Sequence, residues 1–125
     1  MDGKFDTVEA NEFVLTDKKG QLQAKLLKTE EGPNLVFFDP NKTMRVCLGF
    51  TIGMPNISLY DENQVMRAGL FITDDGPAIA LLDKNGMPRA ELIFNDETMG
   101  LGFNNENGEP FFQIPTFETS DEDYE

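Results

Sequence analysis

A unit of 22 residues returns along this chain with no insertion or deletion, and that register constrains the fold more than any other feature. The turn acid of the unit stands at Asp17, Asp39, Asp61 and Asp83, with Asn105 at the fifth position. Two residues on come Lys19, Asn41, Asn63, Asn85 and Asn107. Before each turn, apolar residues alternate at Phe13/Leu15, Leu35/Phe37, Ile57/Leu59, Ile79/Leu81 and Leu101/Phe103. After each turn they alternate at Ala24/Leu26, Val46/Leu48, Ala68/Leu70, Ala90/Leu92 and Phe112/Ile114. All twenty positions are apolar in a chain that is only 39% hydrophobic, while the residues between them are mixed. Alternation at period two is the mark of a strand with one face more buried than the other. A helix would need apolar residues at i, i+3 and i+4, and no copy has them. The chain is therefore expected to be all-β, with five 22-residue repeats forming an antiparallel hairpin meander.

Two kinds of turn punctuate the meander. The first, as in Asp17-Lys18-Lys19-Gly20, places Gly where the backbone turns left-handed and Asp where a carboxylate can accept hydrogen bonds from its own turn. The second carries Gly-Pro or a near relative, as in Glu30-Glu31-Gly32-Pro33 and Asp74-Asp75-Gly76-Pro77, with Pro where a strand begins. The fourth connector, Asp96-Glu97-Thr98-Met99-Gly100, lacks the Pro. Pairing Leu59 with Ala68 would set Tyr60 opposite Arg67, Phe38 opposite Arg45 and Leu82 opposite Arg89. That row of Phe38, Arg45, Tyr60, Arg67 and Arg89 is the candidate outer binding face. Its structural reading is an Arg stem covering apolar surface while the head reaches water or a turn carboxylate.

An apolar face on a long meander has to be covered. The sheet could close on itself, wind into a β-solenoid, or pack against identical chains about an axis. Interchangeable repeats favour the last, because each repeat is then one layer along the axis. A homotrimeric β-prism is the preferred expectation, with a face-to-face dimer next and the solenoid as the alternative coil. Leu26, Leu48, Ile57, Leu59, Leu70, Ile79, Leu81 and Leu92 would line the oligomer core. Residues 1–10 read as a lead-in, 11–117 as the repeat domain, and 118–125 as a disordered acidic tail.

Charge and chemistry narrow the function. Ten Lys and Arg face 23 Asp and Glu, a net charge of −13, which opposes binding to nucleic acid phosphates or anionic membranes. No apolar run is long enough for a transmembrane helix, and no signal peptide opens the sequence. The location stays open between the cytoplasm and a virion or extracellular appendage. With no His, a Ser-His-Asp triad and histidine metal sites are excluded, and the single Cys47 allows no intrachain disulfide. No cofactor is implied. The Asp-x-Asn turns at Asp61-Glu62-Asn63 and Asp83-Lys84-Asn85 offer oxygens, but too few for calcium without help from a neighbour.

The stretches Ile57-Ser58-Leu59-Tyr60-Asp61 with Arg67-Ala68-Gly69-Leu70, and Ala80-Leu81-Leu82-Asp83 through Gly86, Arg89 and Ala90, carry best the pattern F-x-L-x-D-x-x-G-x-x-R-A-x-L, with Ile57 at the Phe position and Gln64 at the Gly position of the first. This resembles a repeat of uncharacterised bacterial and phage-associated proteins built like stalks or tail-fibre segments, where it often follows an N-terminal coiled coil. The resemblance runs from about residue 10 to 115. It implies a non-enzymatic structural module, an oligomeric shaft or spacer of a fibre, appendage or scaffold. The alternative is a module that binds a glycan or protein through the outer aromatic and Arg face.

Overall fold

The computed structural model describes residues 3–95 and 99–115. They form ten strands: β1 (Glu12–Thr16), β2 (Leu22–Thr29), β3 (Gly32–Phe38), β4 (Met44–Thr51), β5 (Met54–Tyr60), β6 (Met66–Thr73), β7 (Gly76–Leu82), β8 (Pro88–Phe94), β9 (Met99–Asn104) and β10 (Pro110–Ile114). Each strand pairs antiparallel with its neighbours in sequence, giving one sheet in the order β1 through β10. β1 pairs only with β2 and β10 only with β9, so the sheet is open. Described elements touch only their sequence neighbours, and no second layer covers either face. A solenoid would stack parallel strands from successive coils; the antiparallel pairing throughout replaces that alternative with a meander. No helix occurs among the described residues, so none is available to cross a membrane.

The longer loops owe their shape to the repeated acid. In the third of them, Asp61 N–H donates to Val65 C=O at 2.9 Å and Gln64 N–H to Asp61 C=O at 3.0 Å. Asp61 Oδ1 accepts from Asn63 N–H at 2.9 Å and Val65 N–H at 3.0 Å, so one carboxylate oxygen ties down two turn amides. The fourth residue of each loop is left-handed, with φ of 80° at Gly20, 82° at Gly86 and 85° at Gly108. Lys42 and Gln64 take the same conformation at 65° and 62° without being Gly. The penalty for a Cβ there is about 1–2 kcal/mol, and the carboxylate-pinned turn tolerates it.

Every long loop is followed by a β-bulge. Leu59 pairs with Ala68 as expected, but Tyr60 pairs with Met66, leaving Arg67 as the extra residue. The same shift leaves out Gln23, Arg45, Arg89 and Phe111 in the other hairpins. Arg67 is therefore not opposite Tyr60, nor Arg45 opposite Phe38, nor Arg89 opposite Leu82. A three-residue turn ending left-handed forces one extra residue into the returning strand, and such bulges re-aim the side chain they carry.

The short loops have two residues each: Glu30-Glu31, Ile52-Gly53 and Asp74-Asp75. Ile52 and Gly53 both have positive φ, the primed turn that suits the sheet's twist. In the third, Thr73 Oγ1 accepts from Asp75 N–H at 3.2 Å and donates to Gly76 C=O at 2.8 Å. Residues 3–11 carry no strand. The acidic tail and residues 96–98 of the fourth connector lie outside the described residues.

Candidate functional site

The antiparallel register lines the alternating apolar residues up into rows that run across the sheet. A middle row joins Phe13, Leu26, Leu35, Leu48, Ile57, Leu70, Ile79, Leu92, Leu101 and Ile114, each the direct partner of the next. A turn-side row, nearer the Asp loops, joins Leu15, Ala24, Phe37, Val46, Leu59, Ala68, Leu81, Ala90, Phe103 and Phe112. All eight residues expected at an oligomer core stand in these two rows. Two-residue periodicity then places a third, far row on the same face near the short loops: Lys28, Pro33, Phe50, Pro55, Ile72, Pro77, Phe94 and Met99. Counting only two apolar positions per strand misses it, because its members are Pro and Phe rather than an obvious alternation.

This ladder face is uncovered. Leu48, Ile57, Leu59, Leu70, Ile79 and Leu81 are all exposed, between 41% and 51% of their surface being accessible. Among the described residues only Ala24 and Val36 are buried apolar side chains. Such a continuous apolar surface exceeds the few hundred Å² that soluble monomers ordinarily leave open.

The face has relief as well as polarity. In the turn-side row the large residues sit on odd strands (Phe37, Leu59, Leu81) and small ones on even strands (Ala24, Val46, Ala68, Ala90). The far row is out of phase: Phe50, Ile72 and Phe94 on even strands, Pro33, Pro55 and Pro77 on odd ones. Hollows follow this alternation. One of 370 Å³ lies around Ala24 between Leu15 and Phe37, and one of 220 Å³ around Ala68 between Leu59 and Ile79. A third, 560 Å³, spans Pro33 and Pro55 with Phe50 and Ile72 on its walls.

The centre of the opposite face is closed over rather than wet, contrary to the expectation for that side, although Val14 and Ile93 on it stay exposed. Its middle row runs through Val36, Cys47, Ser58, Gly69 and Ala80, small residues that neighbouring strands shield. Asn34, Asn56 and Ser58 are buried at 8%, 7% and 3% exposure. Asn34 Oδ1 accepts from Phe50 N–H at 3.2 Å, and Asn56 Nδ2 donates to Thr51 Oγ1 at 3.0 Å, while Ser58 donates to Asn56 at 3.0 Å. No buried side-chain polar atom is left without a partner among the described residues. Burial pushes the Cys47 thiol pKa up, away from a reactive thiolate.

The outer Arg row is engaged in stapling the hairpins. Arg45 Nε donates to Tyr60 C=O at 2.8 Å, Arg67 Nε to Leu82 C=O at 2.9 Å and Arg89 Nε to Asn104 C=O at 2.8 Å. Each reaches fifteen residues ahead, into the next hairpin. The other end of each guanidinium lies 3.3–3.5 Å from its own turn acid, Asp39, Asp61 or Asp83. The bulge thus aims each Arg sideways, so that one side chain links two hairpins. Gln23 is too short for this and Nε2 donates to Leu22 C=O instead, at 3.3 Å. Phe111, with no later strand beside it among the described residues, stacks on Phe103 with ring centres 6.4 Å apart. Phe38 and Tyr60 are half-buried beside these staples. Among the described residues no three acidic or thiol groups converge as a metal site.

The carboxyls of Asp39, Asp61 and Asp83 are held below the ordinary carboxylate range. The largest cause is the N–H of Thr43, Val65 or Met87, opposed by desolvation and reinforced by a second turn amide and the Arg. A depressed folded-state pKa stabilises the fold above the unfolded Asp value of about 4, and that support is lost as pH falls through the lower folded value. Asn105 makes the same turn uncharged, Oδ1 accepting from Asn107 N–H at 2.9 Å and Glu109 N–H at 3.0 Å. Asp61→Asn is accordingly expected to keep its turn at neutral pH and to weaken the loss of stability in acid. Asp61→Ala forfeits both amides and lowers the unfolding temperature at every pH. Thermal unfolding followed from about pH 7 down to about pH 2 separates the two.

No protein-family model matches the chain, and no curated protein matches it.

Proposed function

We propose that this chain is a non-enzymatic structural module, a shaft or spacer whose five repeats assemble side by side with identical chains through the ladder face. The observation that carries the reading is the single-layer sheet with three rows on one side, apolar but for Lys28, and no described element over them. Strands of seven residues stacked ten deep give a face of about 23 by 43 Å, close to 1,000 Å². That exceeds the roughly 800 Å² per partner of a standard stable interface.

Geometry favours three copies over two. Three sheets about 23 Å wide, set as a triangle, lie about 7 Å from the common axis. Side chains of a packed sheet span about 5 Å of that distance, half the separation of about 10 Å between stacked sheets, so the middle row lines the centre and the outer rows fill the corners. The central strands' middle row is Leu and Ile throughout, from Leu26 to Leu101, one layer per strand along the axis. The resemblance to stalk-like repeats agrees with this role. The Arg row supports it differently, by locking successive hairpins into a stiff rod rather than offering free cations to a ligand.

Light scattering of the full chain at micromolar concentration tests the reading. The expected mass is three times the 14.0 kDa chain. A monomer at that concentration overturns it.

A further inference from the structure

We infer that the two outer rows of the ladder face are mates: the turn-side row of one copy seats against the far row of the next, at the same level, around a closed ring. This rests on the self-assembly reading and adds its register and its handed, head-to-tail seam. The argument is the phase of the two rows. At an even level, Ile72 of one copy enters the hollow around Ala68 of the next; at an odd level, Leu59 lands on the flat ring of Pro55. A slip by one strand would set Leu59 against Ile72 and Ala68 against Pro77, a clash beside a void. Close-packed interiors tolerate neither overpacking nor unfilled space. The six levels from β3 to β8 share this phase, so the register is specified several times over.

Charge points the same way. The loops at the turn-side edge are mixed, exposing Lys18, Lys19, Lys42 and Lys84 alongside Asp17, Glu62, Glu106 and Glu109, whereas the described loops at the far edge expose Glu30, Glu31, Asp74 and Asp75 and no cation. A head-to-tail seam brings the two kinds of loop together at each corner. A two-fold seam of far edge on far edge would gather the acids instead, in a chain already at −13. Because a head-to-tail contact generates a ring when its rotation closes, each copy covers both of its outer rows at once.

Cross-linking reads the seam directly. In a Cys47→Ser background, Ala68→Cys and Ile72→Cys are placed in one chain and oxidised. The two positions are four residues apart on one strand, about 13 Å, too far for a disulfide within the chain. The expected result is a covalent series ending at three chains on a non-reducing gel. Mixing the two single variants should give only the mixed dimer. Leu59→Cys with Pro55→Cys repeats the test at an odd level, should the first pair perturb folding. Homodimers from Ala68→Cys alone overturn the head-to-tail seam, as does the absence of cross-links in a double variant that light scattering finds assembled. A variant and parent that are both monomeric instead overturn the self-assembly reading beneath it.

Discussion

Ile57→Glu is expected to abolish the assembly. Ile57 stands in the middle row, between Leu48 and Leu70, where the proposed assembly would bring three copies of one level together. A carboxylate there would be buried with two others around the axis and with no cation to pair. The desolvation penalty is several kcal/mol per ion, and like charges at one level add to it. The assembled mass should vanish, and the urea midpoint should fall with it. On a face that stays in water, the same substitution would stay within about 0.5 kcal/mol. The two accounts thus differ by an order of magnitude at one residue. Glu12→Lys, exposed on the opposite face of β1, serves as a control that leaves the mass unchanged. An Ile57→Glu protein with the parent's mass and midpoint would show that the ladder face is not an interface.

Gly76→Ala is expected to cost about 3–5 kcal/mol, by a different route. Gly76 has φ of 135°, a region closed to residues with a Cβ, and an added Cβ would lie 2.1 Å from the Phe94 carbonyl oxygen. Both clashing partners are backbone, so the β6–β7 loop or the end of β8 has to move. Gly69→Ala offers the contrast. Its Cβ would meet the tip of the Phe71 ring at 2.3 Å, but that ring can swing aside. The expected cost is about 1–2 kcal/mol. Equilibrium unfolding of the two variants in urea orders them. Equal midpoints for both would mean that the loop at Gly76 is looser than its geometry implies.

Much of the fold could be read from residue spacing, and the failures have definite causes. The alternation of Ile57, Leu59, Ala68 and Leu70 placed the strands of that hairpin and its register, since a slip of one residue would turn every apolar side chain to the wrong face. The same alternation could not see the bulge at Arg67. An extra residue next to the turn leaves the spacing of the apolar positions untouched and changes only what Tyr60 faces. The signal was present in the sibling loops that end in Gly20, Gly86 and Gly108 rather than in the loop ending at Gln64, because a three-residue turn ending left-handed brings a bulge with it. The far row hid for another reason: Pro33, Pro55 and Pro77 look like turn residues and Phe50 and Ile72 like isolated apolar ones. Only pairing shows them side by side. The burial of Asn34 and Ser58 was likewise invisible, since it comes from neighbouring strands closing over small side chains rather than from hydropathy.

The Arg staples show how local chemistry and assembly connect. Each Arg joins its own turn acid to the backbone of the next hairpin, so the spacing of successive hairpins is held within the chain itself. A face presented at fixed spacing can be matched level by level, whereas a flexible one would pay the ordering entropy on assembly.

The measurement that bears most directly on this account is the concentration dependence of the unmodified chain's unfolding midpoint, read with its mass on dilution. If identical chains cover the ladder face, folding is linked to association, and the midpoint rises with protein concentration while dilution lowers both mass and stability together. A midpoint that does not move with concentration, in a chain that unfolds cooperatively with the mass of one copy, would contradict the account.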